Sequence, residues 1–488
     1  MMRMIFSVKG TRLATAILLA FGTVAKAQEE VVIDLRTREA RLASAEALRQ
    51  IAIGEKQAAE AVARQNNWPI RGTTIDGGVF ELVRLENGHP IYYTTHNVNA
   101  AISTGVDLIR NISPYNVNGA GILVGVWDGG SVLSTHQEVT GRVNIGDGSA
   151  SHWHATHVGG TIGASGVNSD ALGMAPSVSI SSWDWTSDTS EMTGIAASSP
   201  GQVSRIYLSN HSYGSINGWS TGNWSGNQGP HYWGASGERE DNKFGRYNSG
   251  AASWDSLAFS SQYYLIFKSA GNDRNDAAPA AGATYYFLNG GWQTATYNAA
   301  TGPFNDGFDN GGFDTISTEG VAKNIMTIGA ANDAVAGGLR SVAAGTMSSF
   351  SGWGPADDGR IKPDIVANGV GLTSAHDSSN TAYSGSSGTS MSSPNACGSA
   401  LLLTEYYSDL FSNGAMRAST LKGLIIHTAD DVGNAGPDYS YGWGYMNAKT
   451  AADHIKRHSD FPTAFFMVES ILNSGTPTET YQLRWNGV

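Results

Sequence analysis

The sequence predicts an α/β fold: a mainly parallel sheet with helices on both faces, preceded by a small α+β segment. Three observations point there. From about residue 118, short apolar runs with strand character alternate with helical stretches, the pattern of βαβ units. Ahead of that body, a proline-free run rich in Ala, Glu, Arg and Gln is followed by two short strand-like runs. The chain has 488 residues, 41 % apolar and only 15 % charged, so it can bury a large core and is no disordered polyelectrolyte.

Taken in order, Arg3, Lys9 and Arg12 precede an apolar run from Leu13 to Val24, and Ala25-Lys26-Ala27 follows. A basic start, a short apolar core and an A-x-A site predict a secretory signal peptide over residues 1–27, cut after Ala27. The run is too short to span a bilayer, and no later segment is apolar enough. The expected location is secreted, extracellular or in the cell envelope.

Residues 28–67 carry Leu42, Ala45, Leu48, Ile51 and Ala52 at helical spacing, which predicts an amphipathic helix, broken near Gly54 and ended by Trp68-Pro69. Val79–Val83 and Pro90–Tyr93 then read as strands around a turn at Glu86-Asn87-Gly88. This unit is either a plain N-terminal subdomain or a pro-segment removed later; its expected bounds are 28–105.

In the body, Ile122–Val126, Val178–Ile180, Ile206–Leu208, Tyr264–Phe267 and Ile325–Ile328 are the expected strands, with helices near 154–164, 249–260, 390–407 and 417–428. Gly-, Asn-, Trp- and Tyr-rich insertions at 214–248 and 275–320 read as surface loops. The main domain is expected over 106–460. Beyond Phe461 the composition shifts, and Tyr481–Trp485 alternates like a strand, so 461–488 is expected to begin a truncated C-terminal β-domain.

A net charge of −12 disfavours a nucleic-acid partner and an anionic membrane. A single cysteine excludes an internal disulfide. Cys397 falls in an apolar helical stretch and reads as a packed small residue.

Hydrolysing an amide with a serine requires a base, and the base requires an orienting acid. In open α/β sheets such groups gather at the carboxyl ends of strands. Asp128 closes the run Gly121–Trp127 and precedes Gly129-Gly130; it is either that acid or an ordinary turn aspartate. His152, His154 and His157 lie within six residues, and His154 and His157 share a helix face. The metalloprotease pattern H-E-x-x-H is missing, which argues against a metal and for a base. Ser387-Gly388-Thr389-Ser390-Met391-Ser392-Ser393-Pro394 reads as a tight turn entering a helix. There Ser390 lies beside a free backbone N–H, half of an oxyanion hole, and Pro394 is tolerated in the first turn.

These segments resemble the subtilisin-like serine proteases. Trp127-Asp128-Gly129, His154-Ala155-Thr156-His157-Val158-Gly159-Gly160-Thr161 and Gly388-Thr389-Ser390-Met391-Ser392-Ser393-Pro394 match the family's motifs in its order Asp, His, Ser. Leu172–Pro176, Ser349–Gly354 and Lys362–Ala367 match the stretches between, and the likeness spans about 118–455. Ala155 and Asn368 depart from it, at places usually held by glycine and proline.

The resemblance implies a secreted endopeptidase acting on protein or peptide substrates through an acyl-enzyme, made as a zymogen and expected to be a monomer. It implies Asp128, His154 and Ser390 as the triad, and Asn272 in Ser269-Ala270-Gly271-Asn272 as the oxyanion donor. Ser212, Tyr213 and Gly214 would follow an edge strand and form one wall of the first specificity pocket, with Ser269, Ala270 and Gly271 as the other. His157 reads as structural. No metal or other cofactor is assigned; calcium is conceivable at the loop of Asn305, Asp306, Asp309, Asn310 and Asp314, beside the plainer reading of solvated polarity. The competing readings are a sedolisin-type acid peptidase, disfavoured by the intact His154 segment, and an inactive binding module of the same fold.

Overall fold

The computed structural model describes residues 54, 56–66, 68, 70–73, 79–86, 89–94, 97–202, 205–289, 291–306, 311–316, 318–464 and 467–470. The expected signal peptide, the turn at Asn87-Gly88 and the strand at 481–485 lie outside them. The chain divides into two units, the second taking up at Thr95.

In the first unit, α1 (residues 56–66) continues the expected helix, with Glu60 and Arg64 paired one turn apart at 2.9 Å. Strands β1 (Arg71–Thr73), β2 (Val79–Glu86) and β3 (His89–Thr94) form an antiparallel sheet in that order. Ala59 and Ala63 of the helix meet Leu82 of β2 in a small core.

The second unit opens with α2 (Asn97–Thr104). Its centre is a seven-stranded sheet, parallel at every pairing. The strands are β4 (Leu123–Asp128), β5 (Val143–Ile145), β6 (Ser179–Asp184), β7 (Leu208–His211), β10 (Leu265–Ser269), β13 (Met326–Ala331) and β16 (Ile365–Asn368). Their order, β16-β13-β10-β7-β4-β6-β5, places β4 and β7 in the interior. Burial on both faces explains why these strands read as continuous apolar runs rather than alternations.

One face carries α3 (Trp153–Gly163), α6 (Thr389–Leu410), α7 (Ala418–Thr428) and α8 (Ala448–Asp460). The other carries α4 (Asp188–Ile195) and α5 (Ser249–Ser260), with Trp127, Trp183 and Trp254 in its core. The hairpins β14 (Val335–Ala336) with β15 (Leu339–Arg340), and β17 (Leu372–His376) with β18 (Ala382–Ser386), complete the unit.

One reading needs correction. The insertions at 214–248 and 275–320 are not only loops. They contribute β8 (Trp219–Trp224), β9 (Asn227–Tyr232), β11 (Thr284–Leu288) and β12 (Trp292–Thr296), a four-stranded sheet ordered β12-β11-β9-β8. Trp219, Tyr232 and Tyr297 pack together beneath it, so aromatic side chains supply a core that the glycines and asparagines conceal.

Residues 97–104, at the end of the expected N-terminal unit, are helical. They form α2, whose Ala100, Ala101 and Ile102 are buried with the central core. Ser103 Oγ accepts the Ala334 N–H at 2.9 Å, and Thr104 Oγ1 donates to the Ala100 carbonyl at 3.2 Å. By its contacts α2 belongs with the large unit.

Candidate active site

Asp128 is the last residue of β4 and is fully buried. Trp127 beside it stacks on Trp183 at 4.2 Å, which stiffens the strand end. The first turn of α3 carries His154. His152 caps that helix, its Nδ1 accepting the His154 N–H at 3.3 Å. His154 Nδ1 lies 2.7 Å from Asp128 Oδ1 and 2.9 Å from Oδ2. A carboxylate accepts, so Nδ1–H donates and Nε2 keeps its lone pair. Asp128 Oδ1 also accepts the Gly129 N–H at 2.8 Å, which fixes the carboxylate. The Asp128 side chain is 1 % exposed and that of His154 19 %, so the ring alone faces solvent.

Ser390 sits in the first turn of α6. Its Oγ donates to the Ser212 carbonyl at 3.1 Å, while Ser212 Oγ donates to the Ser390 carbonyl at 3.0 Å. Among the described residues the hydroxyl has no bond to His154. A turn about its Cα–Cβ bond redirects it, and such contacts commonly tighten only with substrate bound.

Asn272 follows β10. Its Oδ1 accepts two hydrogen bonds from Thr389, from the backbone N–H at 2.8 Å and from Oγ1 at 2.9 Å. Because that oxygen is claimed, the Nδ2 group is the end left to donate; a Cβ on Gly388 would stand 3.5 Å from it. The Thr389 hydroxyl also accepts the Gly271 N–H at 3.2 Å. Sequence reading treated Thr389 only as part of the turn. Its structural task is to hold Asn272, and the available signal was a hydroxyl residue directly before the candidate nucleophile.

His157 is separate from this cluster. It is buried, and its Nε2–H donates to the Leu372 and Ser384 carbonyls, each at 3.1 Å. Burial lowers its pKa to about 4, which keeps it neutral. Cys397 is also buried, and burial pushes its thiol pKa well up. The methyl of Ala155 is buried beside His154, and Asn368 Nδ2 donates to the Ala331 and Val370 carbonyls at 3.4 Å.

The segments Ser212-Tyr213-Gly214 and Ser269-Ala270-Gly271 leave neighbouring strands, β7 and β10, on the same side of the sheet as Ser390. The expected edge strand is not an edge. β7 pairs with both β4 and β10, since Leu208–His211 is buried throughout, and only the residues beyond His211 are free of the sheet. The Tyr213 hydroxyl donates to Asp188 Oδ2 at 2.6 Å and meets His211 Nδ1 at 2.9 Å. Burial raises the Tyr213 pKa well above its ordinary value, with Asp188 adding to the effect.

Of the acidic loop, Asp309 and Asn310 lie outside the described residues. Asn305 Oδ1 accepts the Ala278 N–H at 2.8 Å, and Asp306 Oδ2 accepts the Trp219 N–H at 2.9 Å. Asp314 faces Gly245, on whose Cβ position Asp357 also converges. Among the described residues no group of three or more His, Cys, Asp or Glu converges to hold a metal. Nor is any helix among them long and apolar enough to cross a membrane.

The chain is similar in sequence and fold to known proteins. The chain is 31 % identical over 149 residues to Serine protease AprX of Bacillus subtilis, covering 28 % of this chain and 31 % of that one. It is 30 % identical over 156 residues to the Serine protease/ABC transporter B family protein tagA of Dictyostelium discoideum, covering 26 % and 9 %. The matches therefore span about a third or less of these relatives. The fold is similar to that of the Clostridium perfringens CspB protease, with a TM-score of 0.51 and 16 % identity over 73 % of this chain and 98 % of that one. The model of the subtilase family matches residues 119–444, from just before β4 to beyond α7. That span covers two thirds of the sequence and contains the paired Asp128 and His154 as well as Ser390 and Asn272: the chain belongs to the subtilase family.

Proposed function

We propose that this protein is a secreted serine endopeptidase that hydrolyses peptide bonds through Asp128, His154 and Ser390. The observation that carries the reading is the fixed imidazole. With Nδ1–H held by a buried carboxylate at 2.7 Å, His154 presents a basic Nε2 toward solvent. Ser390 attacks the scissile carbonyl, and Nε2 takes its proton. Asp128 stabilises the imidazolium that forms. The tetrahedral oxyanion takes hydrogen bonds from Asn272 Nδ2 and from the Ser390 backbone N–H at the helix start. The imidazolium protonates the leaving amine, and water attacking through the same base releases the acyl group. Substrate lies along Ser212–Gly214, with its side chain between that segment and Ser269–Gly271.

Secretion and maturation belong to the same reading: residues 1–27 direct export, and the first unit is a pro-segment removed by the enzyme. The burial of α2 supports a cut upstream of Asn97, because losing α2 would strip Ala100, Ala101 and Ile102 from the core.

A fluorophosphonate probe applied to purified wild type and Ser390→Ala tests the reading. Labelling of wild type alone, together with loss of peptide hydrolysis in the variant, is expected. Equal hydrolysis by both would refute it. A histidine base requires a neutral ring, so activity that persists at pH 3 would favour an acid peptidase.

A further inference from the structure

Lys268, next to last in β10, is 4 % exposed. A buried lysine is ordinarily paired with a carboxylate. Here, among the described residues, no carboxylate lies within ion-pair distance. Its ammonium donates to the Ser269 carbonyl at 2.9 Å and to Ser269 Oγ at 3.3 Å, which uses two of three N–H groups. The third is spare.

The position of Nζ matters more than its burial. A Cβ built on Gly214 would point into space where, chain neighbours apart, the only heavy atom within 4 Å is Lys268 Nζ, at 3.6 Å. The Tyr213 ring centroid is 6.0 Å away. The ammonium therefore stands between Ser212–Gly214 and Ser269–Gly271, the two walls assigned above to the first specificity pocket. Glu319 and Asp273 act on it from a distance. Burial, and then Asp276, push the Asp273 pKa up to about 7, which weakens its compensation; burial holds Lys268 itself down at about 8. His211, buried nearby, is kept neutral by burial and by Lys268. A desolvated cation with a spare donor beside Gly214 is a receptor for a carboxylate.

We propose that Lys268 forms the floor of the specificity pocket and receives an acidic substrate side chain, so that the enzyme cleaves after glutamate or aspartate. This rests on the endopeptidase reading and adds to it the chemical class of the substrate.

The test uses the mature enzyme and fluorogenic peptides that differ only in the residue before the scissile bond: Glu, Gln, Leu or Lys. Active sites are counted by fluorophosphonate labelling. Wild type is expected to favour Glu over Gln in kcat/KM by at least about tenfold, the scale of one charge-assisted contact. Glu and Gln have nearly the same shape, so this ratio isolates the charge and requires no variant. In Lys268→Met the ratio should fall to about one, and in Lys268→Glu the Lys peptide should become the better substrate. Labelled, active wild type that does not favour Glu over Gln, or that favours Lys, overturns the inference and leaves the endopeptidase reading intact. A Glu preference that survives in Lys268→Met overturns the role of Lys268. A wild type that neither labels nor cleaves removes both.

Discussion

Thr389 directs both its backbone N–H and its hydroxyl at one atom, Asn272 Oδ1, at 2.8 and 2.9 Å. An amide held by its oxygen can rotate only by breaking both bonds. The group across from that oxygen is thus fixed before any substrate arrives, the preorganisation on which oxyanion stabilisation depends.

Asn272→Ala should lower kcat about 10²–10³-fold with KM little changed, because the donor acts on charge present only near the transition state. Thr389→Val should lower kcat by less, about tenfold, and Thr389→Ser should restore it. A rise in KM with kcat unchanged would make Asn272 a substrate-positioning residue instead.

Asp128→Asn should leave the fold intact and reduce kcat by about 10⁴, since an amide facing Nδ1 favours the wrong imidazole tautomer. Turnover at neutral pH is the readout, with circular dichroism as the control for folding. A loss of less than tenfold would mean that the short contact to His154 is structural.

His157 predicts an acid-side loss of stability. Above about pH 6.5 its ring is neutral in both states. Below that, the unfolded ring takes a proton while the folded one resists until about pH 4. The unfolded state binds more protons in this window, so stability falls with pH, by roughly 3 kcal/mol for this group at 1.36 kcal/mol per pKa unit. His157→Gln should be less stable at pH 7 but show a flatter decline between pH 6.5 and 4 in denaturant titrations. Parallel declines would assign the loss to other groups.

Asp306 has the opposite sign. Burial pushes its pKa up to about 9, with Asp273, Asp276 and Asp241 adding to the effect. Between the ordinary carboxyl range and pH 9 the folded state holds a proton that the unfolded state has lost. Stability therefore falls as pH rises. Asp306→Asn keeps an acceptor for the Trp219 N–H and carries no charge. It should stabilise the protein at pH 8 by about 1–3 kcal/mol and make little difference at pH 4, read from unfolding midpoints. Destabilisation at pH 8 would show that the charged form is the native one.

Much of this was legible in the sequence, for identifiable reasons. The strand ending at Asp128, the helix opening near His154 and the turn before Ser390 each combine an apolar run with a punctuating residue, and local pattern suffices there. Thr389 escaped because its task depends on Asn272, 117 residues earlier, and only the sheet order brings them together. Lys268 escaped because a lysine next to last in an apolar strand looks like the strand's polar end. The sheet of β8, β9, β11 and β12 escaped because its strands come from two insertions that pair only across the fold, as β9 does with β11. α2 went unremarked because its residues are mostly small and polar, although the apolar Val98, Ala101 and Ile102 have helical spacing.

The place of α6 in the chain constrains how the protein is made. This helix packs against α3, β7, β10, β13 and β16, yet it is not complete until residue 410. A nascent chain still held at the ribosome before that point lacks the longest helix of that face, with α3 in place but α6, α7 and α8 missing. Co-translational folding of the large unit therefore waits for α6. Truncated products of interrupted synthesis would carry the acid and the base without the serine.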